Sequence, residues 1–358
     1  MRKFLQGLLT KPVITLANKW SSRPDKKRVD AALSALYQNI MQNPGKRGRI
    51  VEFDAAKDKF IILSDQHKGA RDGSDIFAKA ANNYLAALNY YNKEKFFYIN
   101  LGDSEELWEN IFFTVKKHNK KTFEAEQRFL DRDAFIKIFG NHDLYWDNDP
   151  LAMVSLAQIY DQQTKVYEGA VLQTTIGKSK LAIYLTHGHQ GDLQSDGNWF
   201  SKWFVSDIWA PFQSYLHINP NTPSNNDTLK TEHNKMMYEW SAKHKNIILI
   251  TGHTHQPVFR SLTELEVLYE KQKAAQGKEA DELQAQIDKL HLKTSRPPDF
   301  KGYLDTYFNS GCCCFDDGDI TGIEIAEERI RLIKWAYHGK KSVRRVLEEA
   351  CLKDLKLH

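Results

Sequence analysis

Short apolar runs that end abruptly in polar residues set the rhythm of this chain. Phe60-Ile61-Ile62-Leu63 empties into Ser64 and Asp65, and Phe96-Phe97-Tyr98-Ile99-Asn100-Leu101 is closed by Gly102 and Asp103. Phe135-Ile136-Lys137-Ile138-Phe139 stops at Gly140 and Asn141. Residues 181–186 and 247–251 repeat the arrangement and end in His187 and in Gly252-His253. Runs of this length and density predict strands buried on both faces. Between the first two, Ile76, Ala80, Tyr84 and Leu88 recur at helical spacing, so residues 74–95 read as a helix. Segments 307–315, 320–325 and 331–335 read as closing strands joined by an Asp-Asp-Gly-Asp turn at 316–319. Strands alternating with helices predict an α/β domain.

Two segments interrupt the pattern. Residues 193–240 are crowded with aromatics, among them Trp199, Trp203, Phe204 and Trp209, and read as an inserted helical cap. Rings at helical spacing fit either a self-packed subdomain or a substrate surface. Residues 261–295 are polar with helical apolar positions on either side of Gly277, which predicts an inserted helical hairpin. The domain spans residues 51–338, preceded by a helical arm at 1–50 and followed by a helical tail at 339–358.

Composition narrows the class. With 41% hydrophobic and 12% aromatic residues in 358, the chain has apolar mass for a large core, which excludes wholesale disorder. No run reaches the roughly 18 apolar residues of a membrane span. Four cysteines, three of them adjacent at 312–314, are too few for a disulfide scaffold and read as reduced packing thiols in a cytoplasmic protein. The net charge of +4 is uneven: residues 1–50 hold eleven Lys/Arg against two acids, a balance of +9, which leaves −5 for the remainder. Nucleic acid is therefore a poor fit for the main body, and the 116–121 lysine run reads as a solvated loop. The arm fits either a basic amphipathic helix on an anionic membrane or a helix packed on the domain.

The strand ends carry the chemistry. Asp65, His67, Asp103, Asn141, His187, His253 and His255 offer carboxylate, amide and imidazole donors at the ends where α/β folds gather their sites. That donor set suits borderline divalent ions such as Mn²⁺, Fe²⁺ or Zn²⁺, with Mn²⁺ the leading expectation. Seven ligands exceed one tetrahedral site and match two ions sharing a carboxylate.

Asp65-Gln66-His67, Gly102-Asp103, Gly140-Asn141-His142-Asp143, His187-Gly188-His189 and Gly252-His253-Thr254-His255 resemble, in order and spacing, the motif set of calcineurin-like metallophosphoesterases. The resemblance implies a four-layer α/β/β/α sandwich with a dinuclear centre. It assigns Asp65, His67 and His255 to one metal, Asn141, His187 and His253 to the other, and Asp103 to both. His142 matches the catalytic histidine that meets the phosphoryl or leaving-group oxygen. Glu106 stands where the family's orienting Asp usually lies, and Leu107 replaces an Arg that often follows. The implied reaction is hydrolysis of a phosphoester or pyrophosphate bond by metal-bound hydroxide. The Leu101-to-Trp108 block and the aromatic segment are similar to the UDP-diacylglucosamine pyrophosphohydrolase branch, which points to an amphiphilic, lipid-linked substrate. That branch has Asn-Arg where this chain has Asn141-His142. A protein or nucleotide phosphatase and a non-catalytic metal-bound scaffold are the alternatives.

The two readings of the arm part on one measurement. If it lies on membrane, deleting residues 1–22 abolishes retention of the protein by anionic liposomes; if it packs on the domain, retention is unchanged.

Overall fold

The computed structural model describes residues 25–72, 75–191, 227–291, 303–339 and 341–358. Helix Lys26–Gln42 begins where the Asp25 carboxylate accepts the Arg28 N–H at 3.0 Å. Its Val29, Leu33, Leu36 and Ile40 recur every three or four residues and are buried. Fourteen strands follow in chain order. They are β1 (Gly48–Glu52), β2 (Phe60–Leu63), β3 (Phe97–Leu101), β4 (Phe135–Ile138), β5 (Val166–Tyr167), β6 (Gly169–Ile176) and β7 (Ser179–Thr186), then β8 (Ile247–Thr251), β9 (Val258–Phe259), β10 (Leu262–Thr263), β11 (Tyr307–Asn309), β12 (Ile320–Ala326), β13 (Arg329–His338) and β14 (Lys341–Cys351).

They form two seven-stranded sheets, one ordered β1-β6-β7-β8-β11-β9-β10 and the other β14-β13-β12-β2-β3-β4-β5. The inner faces meet in one apolar layer, with Ile62, Ile99, Ile136 and Ile138 against Leu172, Ile183, Leu185 and Ile250. Because β2, β3 and β4 are covered on both sides, their alternate residues are apolar too. Ile61, Leu63 and Tyr98 pack outward on Tyr84, Leu88, Phe129 and Leu156. Those partners come from helices Ala81–Lys93, Lys120–Leu130 and Ala152–Tyr160. Helices Lys26–Gln42 and Asp227–Ser241 cover the other outer face through Val171, Tyr184 and Leu249. The architecture is the α/β/β/α sandwich. Strands β2, β3 and β4 run parallel, as do β7, β8 and β11, so each sheet delivers several C-terminal ends to one edge. No helix of the described residues is long and apolar enough to cross a membrane.

Several expectations need correction. Residues 341–351, expected to be helical, form β14, which pairs with β13 along its length. Their Lys, Arg, Leu and Glu content favours a helix, but the open edge of β13 supplies a ladder, and Arg344 reaches across to Glu324 on β12 at 2.7 Å. Of the arm expected at 1–50, residues 25–50 lie among the described residues and are not wholly helical: they supply a covering helix packed on the domain and the start of edge strand β1, which pairs with β6. The strand expected over 307–315 stops at Asn309, so the cysteine run lies in the loop beyond it. Residues 116–121 are largely helical, in Phe112–His118 and Lys120–Leu130. Most of the expected cap falls at 192–226, outside the described residues. Its C-terminal part, helix Asp227–Ser241, packs on the sheet beside Lys26–Gln42. Helices Glu264–Ala274 and Lys278–His291 pack through Leu268, Leu283 and Ile287.

Trp240 anchors the two covering helices. It is fully buried, its indole N–H donates to the Ser34 hydroxyl at 2.9 Å, and its ring lies 5.5 Å from that of Tyr184. Trp240→Ala is expected to lower unfolding free energy by about 3–5 kcal/mol, read by urea denaturation. A loss below 1 kcal/mol would contradict this packing.

Candidate metal centre

Two close backbone approaches draw the strand ends together. A Cβ on Gly140 would stand 2.6 Å from the Asp103 nitrogen and 2.7 Å from His187 Cδ2, and one on Gly252 would stand 2.5 Å from Asp65 Oδ2. Between these points the chain turns sharply. Asp65, His67, Asp103, His253 and His255 all have left-handed φ, between 50° and 68°. Each such residue costs about 1–2 kcal/mol, and the concentration of them at one edge marks a functional site. Cross-loop bonds hold the turns: Asp65 N–H donates to Gly102 O at 3.0 Å, His67 N–H to Asp103 O at 2.9 Å, and Gly252 N–H to His187 O at 2.9 Å.

All nine residues singled out from the sequence gather here. Asp103 sits between two groups, its Oδ2 3.7 Å from His67 Nε2 and 3.2 Å from His187 Nε2. On the first side, His255 Nε2 is 3.2 Å from both Asp65 Oδ1 and His67 Nε2. On the other, Asp103, His187 and His253 bring ligand atoms within 4.8 Å of one another. His187 Nδ1–H donates to Leu101 O at 2.9 Å, which fixes the ring and turns Nε2 toward Asp103. Asn141 Oδ1 and His253 Nε2 are buried and have no hydrogen-bond partner, while Asp65 Oδ1 and His187 Nε2 face only the imidazole of His255 and the carboxylate of Asp103. Buried polar atoms left without a partner are costly, and carboxylates, an amide oxygen and imidazoles gathered at one edge are what divalent cations fit.

The electrostatics agree. Burial works against charge on His187, yet Asp103 and Asp65 lift its pKa to about 9. For His255 burial is likewise outweighed, by Cys312 and Asp65, and the pKa stands at about 10. The buried carboxylates thus call for positive charge. His253 is the exception: burial, with His233 and His187 nearby, holds its pKa well below the usual value, so it stays a neutral donor.

Glu106 forks between two imidazoles, accepting from His142 Nδ1 and His67 Nδ1 at 2.9 Å each. The longer Glu side chain thus reaches both His142 and a ligand. Burial opposes a charge on His142, but Glu106 and Asp103 prevail and hold its pKa at about 9. Its backbone N–H donates to Asp103 Oδ1 at 2.8 Å.

Three partners escaped sequence reasoning because only tertiary contact reveals them. Trp108 stacks on His142 with centroids 4.1 Å apart. His233, on helix Asp227–Ser241, donates through Nε2 to Gly188 O at 2.7 Å and clamps the His187 turn. Cys314 comes within 3.8 Å of His255 Nδ1, although the cysteine run gave a signal that packing alone seemed to absorb.

The sequence profile of the calcineurin-like phosphoesterases matches residues 58–257, more than half of the chain. The chain belongs to this family. Among solved structures, this chain is similar to Vacuolar Protein Sorting 29 from Cryptosporidium parvum, at 13% identity and a TM-score of 0.32, over 82% of this chain and 98% of that one. It is also similar to a single mutant of Vps29 from Entamoeba histolytica, at 13% identity and a TM-score of 0.29, over 81% and 99% of the two chains. No curated protein sequence matches it significantly. The family binds two metals, and this chain has candidate donor groups for them.

Glu106→Gln removes the main carboxylate that raises the His142 pKa, so the imidazole should lose its proton at lower pH than about 9. NMR titration of the His142 ring in the metal-free protein would show it, and an unmoved midpoint would contradict the assigned cause.

Proposed function

We propose that this phosphoesterase hydrolyses a phosphoester or pyrophosphate bond with the help of two divalent ions, Mn²⁺ foremost, and that its substrate is amphiphilic. The observation that carries the reading is the buried Asp103 carboxylate with His67 on one side and His187 and His253 on the other, their ligand atoms drawn together. Asp65, His67 and His255 would hold one ion, Asn141, His187 and His253 the other, with Asp103 shared. Such ions supply positive charge to a phosphoryl group and make water nucleophilic near neutral pH.

The chain's own residues supply the rest. Glu106 accepts a hydrogen bond from His142 Nδ1–H, which leaves Nε2 to meet a phosphoryl or leaving-group oxygen. In its protonated form His142 stabilises negative charge there and can hand its proton to the leaving group. Trp108 covers one face of the ring and fixes its tilt. For the substrate class, the support lies a few residues after Trp108, which stacks on His142. Ile111 and Phe113 are 71% and 66% exposed, and Lys117 is exposed one turn beyond Phe113. Apolar side chains next to exposed lysine suit a molecule with an acyl part and a phosphate, in keeping with the sequence resemblance to the UDP-diacylglucosamine pyrophosphohydrolase branch.

The test is hydrolysis by metal-stripped, Mn²⁺-reloaded protein of an aryl monoester, an aryl diester and a nucleoside-diphosphate lipid. Metal-dependent turnover is expected, fastest on the lipid, abolished in Asp103→Asn and reduced about 10²–10⁴-fold in His142→Ala. Equal turnover of the water-soluble esters and the lipid would overturn the amphiphilic reading. No turnover with two ions bound would favour a scaffold.

A further inference from the structure

The run Cys312-Cys313-Cys314 is divided by its surroundings. Cys313 faces the apolar layer of the second sheet, and its backbone N–H donates to Ser64 O and Asp65 O at 3.1 Å each. Its thiol approaches Thr321 O at 3.9 Å. The two flanking residues turn the other way. Cys314 Sγ stands 3.8 Å from His255 Nδ1, and the Cys312 thiol is within hydrogen-bonding reach of both Cys314 and His255.

His255 shows why this matters. Its Nε2 faces Asp65 and His67, so Nδ1 is the outward nitrogen, the place where a metal-binding histidine ordinarily has a carboxylate or carbonyl to fix its ring. Here that place is taken by sulfur. The two sulfurs also lie within hydrogen-bonding reach of each other. Residues two apart span at most about 7 Å between Cα atoms, and the chain bends at Cys313. Disulfides usually bridge Cα separations of about 4.4–6.8 Å. Cys314 is 7% exposed against 1% for Cys312, so it is the one that solutes meet first.

We propose that Cys312 and Cys314 are a peroxide-oxidisable dithiol and that their disulfide loosens the hold on His255. The Cys314 sulfur attacks one oxygen of hydrogen peroxide, the O–O bond breaks, and hydroxide leaves with the thiol proton as water, giving a sulfenic acid. The Cys312 sulfur then attacks the Cys314 sulfur. The S–S bond forms, the S–O bond breaks, and the second hydroxide leaves with the Cys312 proton as water. Two thiols are oxidised, one peroxide is reduced to two waters, and Cys313 keeps its thiol. A disulfide sulfur is a poorer acceptor than a thiol or thiolate, so the Nδ1–H of His255 loses its partner. Disulfide formation stands independently of the proposed reaction, whereas the effect on His255 rests on its role as a metal ligand.

The full-length protein, treated with hydrogen peroxide, alkylated and digested, should yield a peptide containing residues 312–314 lighter by two hydrogens, with alkylation at Cys313 only. Dithiothreitol should reverse the change. Calorimetric titration with Mn²⁺ should show the affinity of one of two sites weakened about tenfold after oxidation. Cys312→Ser should accumulate oxygen adducts on Cys314 and form no disulfide there. Unmodified thiols at 312 and 314 in the wild type, or oxidation confined to Cys351, would overturn the dithiol. A confirmed disulfide with unchanged Mn²⁺ affinity would overturn the link to His255.

Discussion

Two carboxylates buried almost without water govern this molecule. Asp65 and Asp103 are 0% and 2% exposed. Burying an unpaired carboxylate is costly, so positive charge must be held close to each. That requirement explains why imidazoles crowd the edge where the two sheets meet. It also explains why the backbone accepts left-handed turns at Asp65, His67, Asp103, His253 and His255. Such turns aim strand-end side chains at one point, and Gly102, Gly140 and Gly252 let the loops come close enough.

Beneath the centre lies a second buried set of charges that keeps those loops in place. Lys68 bonds to Glu126, to the Ser104 hydroxyl at 2.8 Å and to Glu105 at 3.3 Å, while Lys137 meets Glu105 at 2.9 Å. Two cations and two anions cancel. Trp146 donates to Glu105 at 2.7 Å, and Tyr84 and Tyr160 donate to Glu126 at 2.8 and 2.7 Å. This network ties the loops after β2 and β3 to β4 and to the helix that follows Asn141 and His142. Removing one partner of such a buried set typically costs about 3–5 kcal/mol because the other charge is stranded. The centre is thus rigid from below, and its adjustable parts lie at the rim, where Trp108 covers His142 and the cysteine loop abuts His255.

Much of this was legible in the sequence, for a physical reason. Strands β2, β3, β4, β7 and β8 are covered on both faces, so they write unbroken apolar runs, and the residues that end them stand at one edge of the sheets. Strands β6 and β14 could not be read in the same way. The first has polar residues toward its end, and the second has a composition that favours helix until β13 offers its edge. The forked role of Glu106, the Trp108 stack and the His233 clamp depend on residues far apart in the chain, and no local pattern encodes them. The cysteines were visible, but only as packing thiols. What faced Cys312 and Cys314 emerged only when the loop after β11 met the loop after β8.

The central claim is that the strand ends hold two divalent ions with Asp103 between them. Its most direct test is anomalous X-ray scattering from crystals grown with Mn²⁺. The arrangement of Asp65, Asp103, Asn141 and the four histidines requires two anomalous peaks, one on each side of the Asp103 carboxylate and about 3.5–4 Å apart. A single peak, or peaks away from Asp103, would contradict it.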